Sequence, residues 1–206
     1  DEAVAVYRQV VATGRRARPG DDRSLDDHLV SLAIALRESG KFDEAGQLFR
    51  DLLQSQRRAL GDSHRKTLLT MTELASLLEA QRDLEAAEAL LREALANRRK
   101  TLGDSGRDTL NTLDQLGQVL RLRGMLDDAM AMSEEAIRLA SGHRYPGQLP
   151  LSLYQVHLAR TLLDQQRVDD AEAQLDKARV RLSEDLYPER GSVEALAVTY
   201  ADLYRQ

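Results

Sequence analysis

Residues 74–103 read LASLLEAQRDLEAAEALLREALANRRKTLG and contain two helical patterns separated by a short polar turn. In the first pattern, Leu74, Ala75 and Leu78 have the spacing of residues on one face of an α-helix. The second pattern begins at Ala87 and has the same periodicity. Small residues in both patterns allow two antiparallel helices to approach closely. This stretch therefore predicts a helical hairpin.

The hairpin is one copy of a repeat that recurs every 42 residues without insertions. Alanine holds one position of the second helix in five consecutive copies, at Ala3, Ala45, Ala87, Ala129 and Ala171. Leucine holds one position of the first helix in four copies, at Leu32, Leu74, Leu116 and Leu158. A single hairpin leaves apolar surface on two sides and is stable only when neighbours cover both. The sequence therefore predicts an all-α fold of stacked hairpins.

We name the first helix of each repeat helix A and the second helix B. The register divides residues 1–206 as a single array, with a half repeat of helix B only at 1–17, full repeats at 22–61, 64–103, 106–142 and 150–186, and a half repeat of helix A only at 190–206. Because the array begins and ends halfway through a repeat, we expect the chain to be a segment of a longer protein. The uncovered faces of the two half repeats could also support end-to-end self-association.

The pattern L-x-x-L-A-x-x-L in helix A, followed by F/L-x-x-A in helix B, resembles the tetratricopeptide repeat. Residues 94–104 (ALANRRKTLGD), followed by Asp108-Thr109-Leu110, resemble the 42-residue form of this repeat found in kinesin light chains. The resemblance implies a right-handed superhelical α-solenoid of stacked antiparallel helical hairpins. It also implies a scaffold that binds a partner peptide or protein and is not an enzyme. The family shares an architecture and not one ligand, so the resemblance names no particular partner.

In tetratricopeptide stacks the A helices line a concave groove, so the resemblance assigns partner binding to the free positions of each helix A. These positions are Val30, Ile34, Arg37, Thr72, Ser76, Glu79, Asp114, Gln118, Arg121, Val156, Arg160 and Leu163. We expect Val30 and Ile34 to be exposed. We expect Arg121 and Arg160 to anchor the partner, because a guanidinium is a rigid and always charged donor. A solvated face without a ligand is the alternative.

Two other interpretations stay open at the level of sequence. The array could be a regulatory or sensor module of a larger signalling enzyme, packed on a catalytic neighbour domain. Basic clusters such as Arg57-Arg58 and 98–100 (RRK) could form a ridge that contacts a partner, although positive charge at the end of a helix also suits the helix dipole. The acidic pairs that open B helices suit the dipole in the same way, at Asp43-Glu44, Asp127-Asp128 and Asp169-Asp170.

The composition argues against catalysis and against bound cofactors or metals. The chain has no cysteine, its four histidines form no pair with metal-ligand spacing, and it has no glycine-rich phosphate loop. Its formal net charge is -5 with both signs interspersed, unlike a nucleic-acid-binding surface. No apolar run reaches the roughly 18 residues of a membrane span. We therefore expect no catalytic residue, cofactor or metal, no nucleic-acid or membrane partner, and a cytoplasmic location.

The third repeat departs from the pattern in its helix B, at about 127–140. Ser133 holds the position that Phe49, Leu91 and Leu175 hold in the other repeats. A short polar side chain there loses buried apolar area. We predict that this helix is the softest internal element of the chain. We also expect Ser133→Leu to stabilise the fold by on the order of 1 kcal/mol if the space exists.

Overall fold

The computed structural model describes residues 2–17, 25–142, 151–184 and 190–203, and the regular elements in these ranges are all helices. The ten helices of the described ranges are α1 (Glu2–Ala17), α2 (Asp26–Glu38), α3 (Phe42–Leu60), α4 (Arg65–Ala80), α5 (Leu84–Leu102), α6 (Arg107–Leu122), α7 (Leu126–Ser141), α8 (Leu151–Asp164), α9 (Val168–Glu184) and α10 (Arg190–Leu203). The prediction of an all-α fold is confirmed. Even-numbered helices hold the helix A register and odd-numbered helices the helix B register. Within the same ranges, no helix has both the length and the apolar character needed to cross a membrane.

Charged residues lie at the helix ends where the sequence places them. The three acidic pairs lie in the first turns of α3, α7 and α9. Basic residues lie in the last turns of α3 and α5, at Arg57, Arg58, Arg99 and Lys100. Both arrangements are favourable because a helix carries partial positive charge at its N-terminus and partial negative charge at its C-terminus.

Each full repeat joins helix A to helix B through the same tight turn, in which one residue has a positive φ. These residues are Gly40 (φ 74°), Arg82 (φ 66°), Gly124 (φ 78°) and Gln166 (φ 62°). The residue after each of them donates its amide to a carbonyl five residues earlier, as from Lys41 N to Leu36 O at 2.9 Å. This hydrogen bond defines a Schellman motif, which ends helix A and redirects the chain into helix B.

The chain forms two compact units, unit 1 at residues 1–97 and unit 2 at residues 98–206, and α5 crosses the boundary. In unit 1, α1 packs against α2, α2 against α3, and α3 against α4. Its core contains Phe49, Met71 and Leu77, all fully buried. Ala33 of α2 and Ala45 of α3 are fully buried as well. Side chains of this size allow the two helices of the hairpin to pack closely.

In unit 2, α6 packs against α7, α7 against α8, and α8 against α9, while α10 packs against both α8 and α9. Its core contains Val156, Leu162 and Leu175. Helices α6 and α7 approach closely at Gly117, where an added Cβ would lie 3.4 Å from Ser133 Oγ. Ser133 is fully buried, and its hydroxyl has no hydrogen-bond partner. A separation of 3.4 Å is an ordinary van der Waals contact, so the glycine leaves the space of a methyl group on the α6 side of Ser133.

One ion-pair arrangement occurs in each unit at the end of a helix B, and we call it the arginine clamp. In unit 1, Arg57 lies 3.2 Å from Asp62 in the following joint and 2.7 Å from Glu93 of α5. The corresponding residues of unit 2 are Arg99, Asp104 and Glu135, with distances of 3.3 and 2.8 Å. Each clamp ties the end of one helix B to the next helix B. Such partly exposed pairs contribute little individually, about 0–1 kcal/mol.

For Arg98, the interpretation of the basic clusters as solvated charge or as a contact ridge is wrong. Its side chain is not solvated, because the residue is only 6% exposed. Its guanidinium Nη1 donates to Asp108 O at 3.0 Å and also to Thr112 Oγ1. Burial lowers the pKa of Arg98, and the charge of Asp108 opposes that shift. Arg98 is therefore a buried structural residue of unit 2 and not part of a ridge that contacts a partner.

Candidate partner-binding site

In unit 1, the predicted groove positions belong to α2 and α4, and not all of them are accessible. Val30 is 7% exposed and Thr72 is 6% exposed. The expectation of an exposed Val30 is therefore wrong, since Val30 belongs to the core and Ile34 is only partly buried against it. The reason is that α2 contacts α1, α3 and α4, so that little of its surface remains free.

In unit 2, three of the predicted positions are also buried. Asp114 is 6% exposed, Val156 is not exposed and Leu163 is 7% exposed. Val156 and Leu163 both belong to the core. The expectation that these positions are free of packing duties is therefore wrong for them. Helix α8 contacts α6, α7, α9 and α10, which leaves few of its side chains available to a ligand.

The polar groups on the A helices of unit 1 bond mainly to one another. Arg37 Nη1 lies 3.1 Å from Glu73 Oε2, and both side chains are about one-fifth exposed, 22% and 23%. Ser76 Oγ donates to the carbonyl of Thr72 at 3.1 Å. Glu79 is partly buried and has an interaction of its own. This face therefore offers few unused donors or acceptors.

Two side-chain hydrogen bonds join the first half of α6 to the first half of α8. Tyr154 Oη donates to Asn111 Oδ1 at 2.9 Å. His157 Nδ1 lies 2.9 Å from both carboxylate oxygens of Asp114. Neither pair was predicted from the sequence. A signal for both existed, because the members of each pair are 43 residues apart, one repeat plus one residue. The Asp114 carboxylate is consequently engaged by His157.

Further along the same two helices, Arg121 and Gln118 have donors without acceptors. Arg121 Nη1 donates to Asp164 Oδ2 at 2.7 Å, and this pair is again 43 residues apart. Arg121 Nε, however, is buried without a hydrogen-bond partner. Gln118 precedes Arg121 by one helical turn, and its Nε2 is likewise buried without a partner. These two unused donors lie at neighbouring positions on α6.

Arg160 of α8 adds a third set of donors. Its Nε donates to Thr199 Oγ1 of α10 at 2.9 Å, which fixes the guanidinium, and Thr199 in turn donates to Ala195 O. Among the described residues this is the one hydrogen bond that Arg160 makes. Burial lowers the pKa of Arg160, the nearby charge of Arg121 lowers it further, and Asp202 raises it. Arg121 and Arg160 are thus close enough to repel each other.

Sites of other kinds are not evident in the described ranges. Within them, no three histidine, cysteine, aspartate or glutamate side chains are grouped so that they could hold a metal ion. His157 is bonded to Asp114, and His64 accepts a hydrogen bond from Lys66 N at the start of α4. Among the predicted groove positions of unit 2, Gln118, Arg121 and Arg160 are the ones that are not buried, and they form a donor-rich polar surface.

Comparison with known proteins agrees with this architecture. The model of the tetratricopeptide repeat family matches residues 24–100 and 69–141, which together are more than half of the chain. The chain belongs to the tetratricopeptide repeat family. Members of this family generally act as protein-interaction scaffolds. No curated protein matches the sequence significantly.

Solved structures extend the similarity to nearly the whole chain. BtubC (BKLC) from P. vanneervenii has 23% sequence identity and a TM-score of 0.78, and the match covers 92% of this chain and 76% of that one. A putative kinesin light chain of Podosopora anserina with nearly identical TPR-like repeats has 22% identity and a TM-score of 0.72, covering 91% and 87%. A second structure of that protein, which carries one substitution, has 22% sequence identity and a TM-score of 0.75. The match covers 90% of this chain and 87% of that one. The prediction of repeats of the kinesin-light-chain type is confirmed.

Proposed function

We propose that the chain is a protein-interaction scaffold that binds a peptide segment of a partner protein on α6 and α8 of unit 2. The contact residues are Gln118, Arg121 and Arg160, and we call this surface the A-helix site. The observation that carries the proposal is the pair of buried donors without acceptors, Gln118 Nε2 and Arg121 Nε, close to the partly exposed guanidinium of Arg160. Polar groups that are removed from water are nearly always hydrogen-bonded, so an unused group of donors favours a ligand that supplies acceptors.

The chemistry of the A-helix site favours carboxylates and main-chain carbonyls as those acceptors. Two guanidinium groups that repel each other gain when an anion lies between them, and the planar donor fork suits a carboxylate. Of the nearby acidic side chains, Asp114 is engaged by His157, whereas Asp164 already occupies Nη1 of Arg121 and the charge of Asp202 acts on Arg160. A ligand carboxylate therefore binds the donors of the two guanidinium groups that these residues leave unused. A peptide with at least one acidic side chain supplies both kinds of acceptor.

The double substitution Arg121→Ala, Arg160→Ala tests the proposal. A binding peptide is first selected from a random displayed library on the wild-type chain, and its affinity for wild type and variant is measured by calorimetry. We expect the variant to lose about 2 kcal/mol or more of binding free energy, the scale of a hot-spot truncation. The helical circular dichroism should stay unchanged, because both side chains are partly exposed.

The matched control is Arg57→Ala, Arg58→Ala at the end of α3, which removes the same charge from unit 1. It should cost at most a small amount of stability through loss of the arginine clamp and leave peptide affinity unchanged. If the control abolishes binding while the Arg121→Ala, Arg160→Ala chain binds normally, the partner binds the basic ridge that includes Arg57 and Arg58. The assignment of binding to the A-helix site would then be wrong.

A further inference from the structure

A cleft in unit 2 lies between α7, α8 and α9, away from Gln118, Arg121 and Arg160. It has a volume of about 340 Å³ and is lined in part by Arg138, Gln155, Lys177 and Arg181. A second hollow of about 440 Å³ shares Gln155, Lys177 and Arg181 with it and continues to Val180. We call the two together the Gln155 cleft.

Gln155 is an unusual residue for its place in the repeat. It holds the register position of Leu29, Met71 and Leu113, which are core residues with at most 6% exposure. Gln155 is buried to the same degree, at 3%, yet its Oε1 has no hydrogen-bond partner. A buried amide oxygen without a partner destabilises the fold, because it has lost its hydrogen bonds to water. The side chain amide can both donate and accept, which is the pattern that matches a peptide main chain.

The charge of the cleft also departs from the repeat. Lys177 holds the register position of Glu93 and Glu135, the carboxylates that complete the two arginine clamps. The clamp arginine itself is replaced in this register by Ser141. A third clamp is therefore absent, and a lysine stands where the acidic member belongs.

The basic side chains of the cleft have no partners within the described part of the chain. Arg138, Lys177 and Arg181 make no ion pair or hydrogen bond there, whereas Arg37, Arg57, Arg99 and Arg121 all do. Of the two acidic residues at the rim, Asp176 is engaged by Tyr200 at 2.9 Å and by Arg179 at 3.1 Å. Glu134 remains as the one opposing charge among the lining residues.

We infer that the Gln155 cleft is a second docking site, for an extended acidic peptide segment of a partner protein. Lys177 and Arg181 bind its carboxylates, and the amide of Gln155 bonds its main chain. Apolar side chains of the segment contact Val180 and the neighbouring Ile137. The Gln155 cleft is formed by α7, α8 and α9, whereas the A-helix site is formed by α6 and α8. The two sites use different residues of α8.

Fluorescence anisotropy with short labelled peptides on the full chain tests the inference. The probe alternates glutamate and leucine, and the comparison peptide alternates lysine and leucine. We expect the acidic probe to bind, to weaken as salt rises, and to bind at least about tenfold more weakly to Lys177→Ala, Arg181→Ala. Equal binding of the lysine peptide, or no binding of the acidic one, would overturn the inference.

Gln155→Leu separates a binding role from a structural one. It restores the residue type of the other repeats, so folding should be as stable as in the wild type or more so. Binding of the acidic probe should nevertheless fall, and Gln155→Glu should weaken it further by repelling the carboxylates. A Gln155→Leu chain that is stabilised and binds the probe as the wild type does would assign Gln155 no contact and contradict the inference.

Two further variants distinguish this site from nonspecific charge and from the A-helix site. Arg107→Ala, Arg167→Ala makes the same change of net charge outside the cleft and should leave the probe affinity within about twofold. A loss there as large as for Lys177→Ala, Arg181→Ala would refute a specific cleft. If Arg121→Ala, Arg160→Ala alone abolishes probe binding, the Gln155 cleft is wrong while the A-helix site stands.

Discussion

Units 1 and 2 share one 42-residue frame, but they fill its equivalent positions differently. In unit 1, Leu29 and Phe49 are buried apolar residues, whereas their register equivalents in unit 2 include Gln155 and Ser133, both buried and without a hydrogen-bond partner at their side-chain oxygen. The helices form in both cases, because the remaining apolar positions and the Schellman joints are kept. The repeat thus tolerates single polar residues in its core.

The largest expected difference between the units concerns two register-equivalent polar residues, Gln56 and Arg98. Gln56 Nε2 donates to the buried carboxylate of Asp26 at 3.1 Å, so Gln56→Leu strands a buried charge and should cost about 3 kcal/mol. Arg98→Met should cost less than about 1 kcal/mol, because it removes a buried charge while Thr112 Oγ1 keeps its bond to Asp108 O at 2.7 Å. Urea denaturation of both variants measures the two costs.

The companion variant for this comparison is Asp26→Leu combined with Gln56→Leu. Leucine is the register residue at the position of Asp26 in the next two repeats, at Leu68 and Leu110. The double variant should recover most of the stability lost in Gln56→Leu alone. Equal destabilisation by Gln56→Leu and Arg98→Met would contradict the prediction. It would show that the unpaired carboxylate of Asp26 does not determine the stability lost in Gln56→Leu.

The second prediction concerns Ser133, the equivalent of Phe49. Ser133→Leu restores an apolar residue at this position and should stabilise the chain by on the order of 1 kcal/mol, because the facing residue of α6 is Gly117, where even an added Cβ would make only an ordinary van der Waals contact. Ser133→Ala removes an unpaired buried hydroxyl and should stabilise by about 1 kcal/mol. Hydrogen exchange should be faster in α7 than in α3 of the wild type and should slow in Ser133→Ala. Exchange in α7 as slow as in α3 would argue against a soft third repeat.

The smallest effect is expected at the joints, where the two units should respond alike. Arg82 in unit 1 and Gln166 in unit 2 have positive φ at a position that is glycine in the other two repeats, at Gly40 and Gly124. Arg82→Gly and Gln166→Gly should each raise stability by up to about 1 kcal/mol, because glycine adopts this conformation without strain. Thermal melting measures the gain. A loss in either variant would mean that the side chain contributes more than the strain costs.

The sequence by itself determined the helices, their order and the positions of most core residues. The reason is that the 42-residue period, the leucine and alanine stripes and the charges at helix ends are local patterns that each hairpin must satisfy. The same patterns identified the repeat family without reference to any contact. Even the residues that break the frame, such as Ser133, could be recognised by register alone.

Only the tertiary structure decided which of the predicted groove and ridge positions are accessible. Val30 and Leu163 have the spacing of free positions on helix A, yet both are buried, because α2 touches three other helices and α8 touches four. Arg98 and Arg99 are adjacent in sequence, but one is buried against Thr112 and the other forms a partly exposed ion pair with Glu135. Burial and pairing depend on the surfaces that neighbouring helices bring together, and helical periodicity within one element does not specify those surfaces.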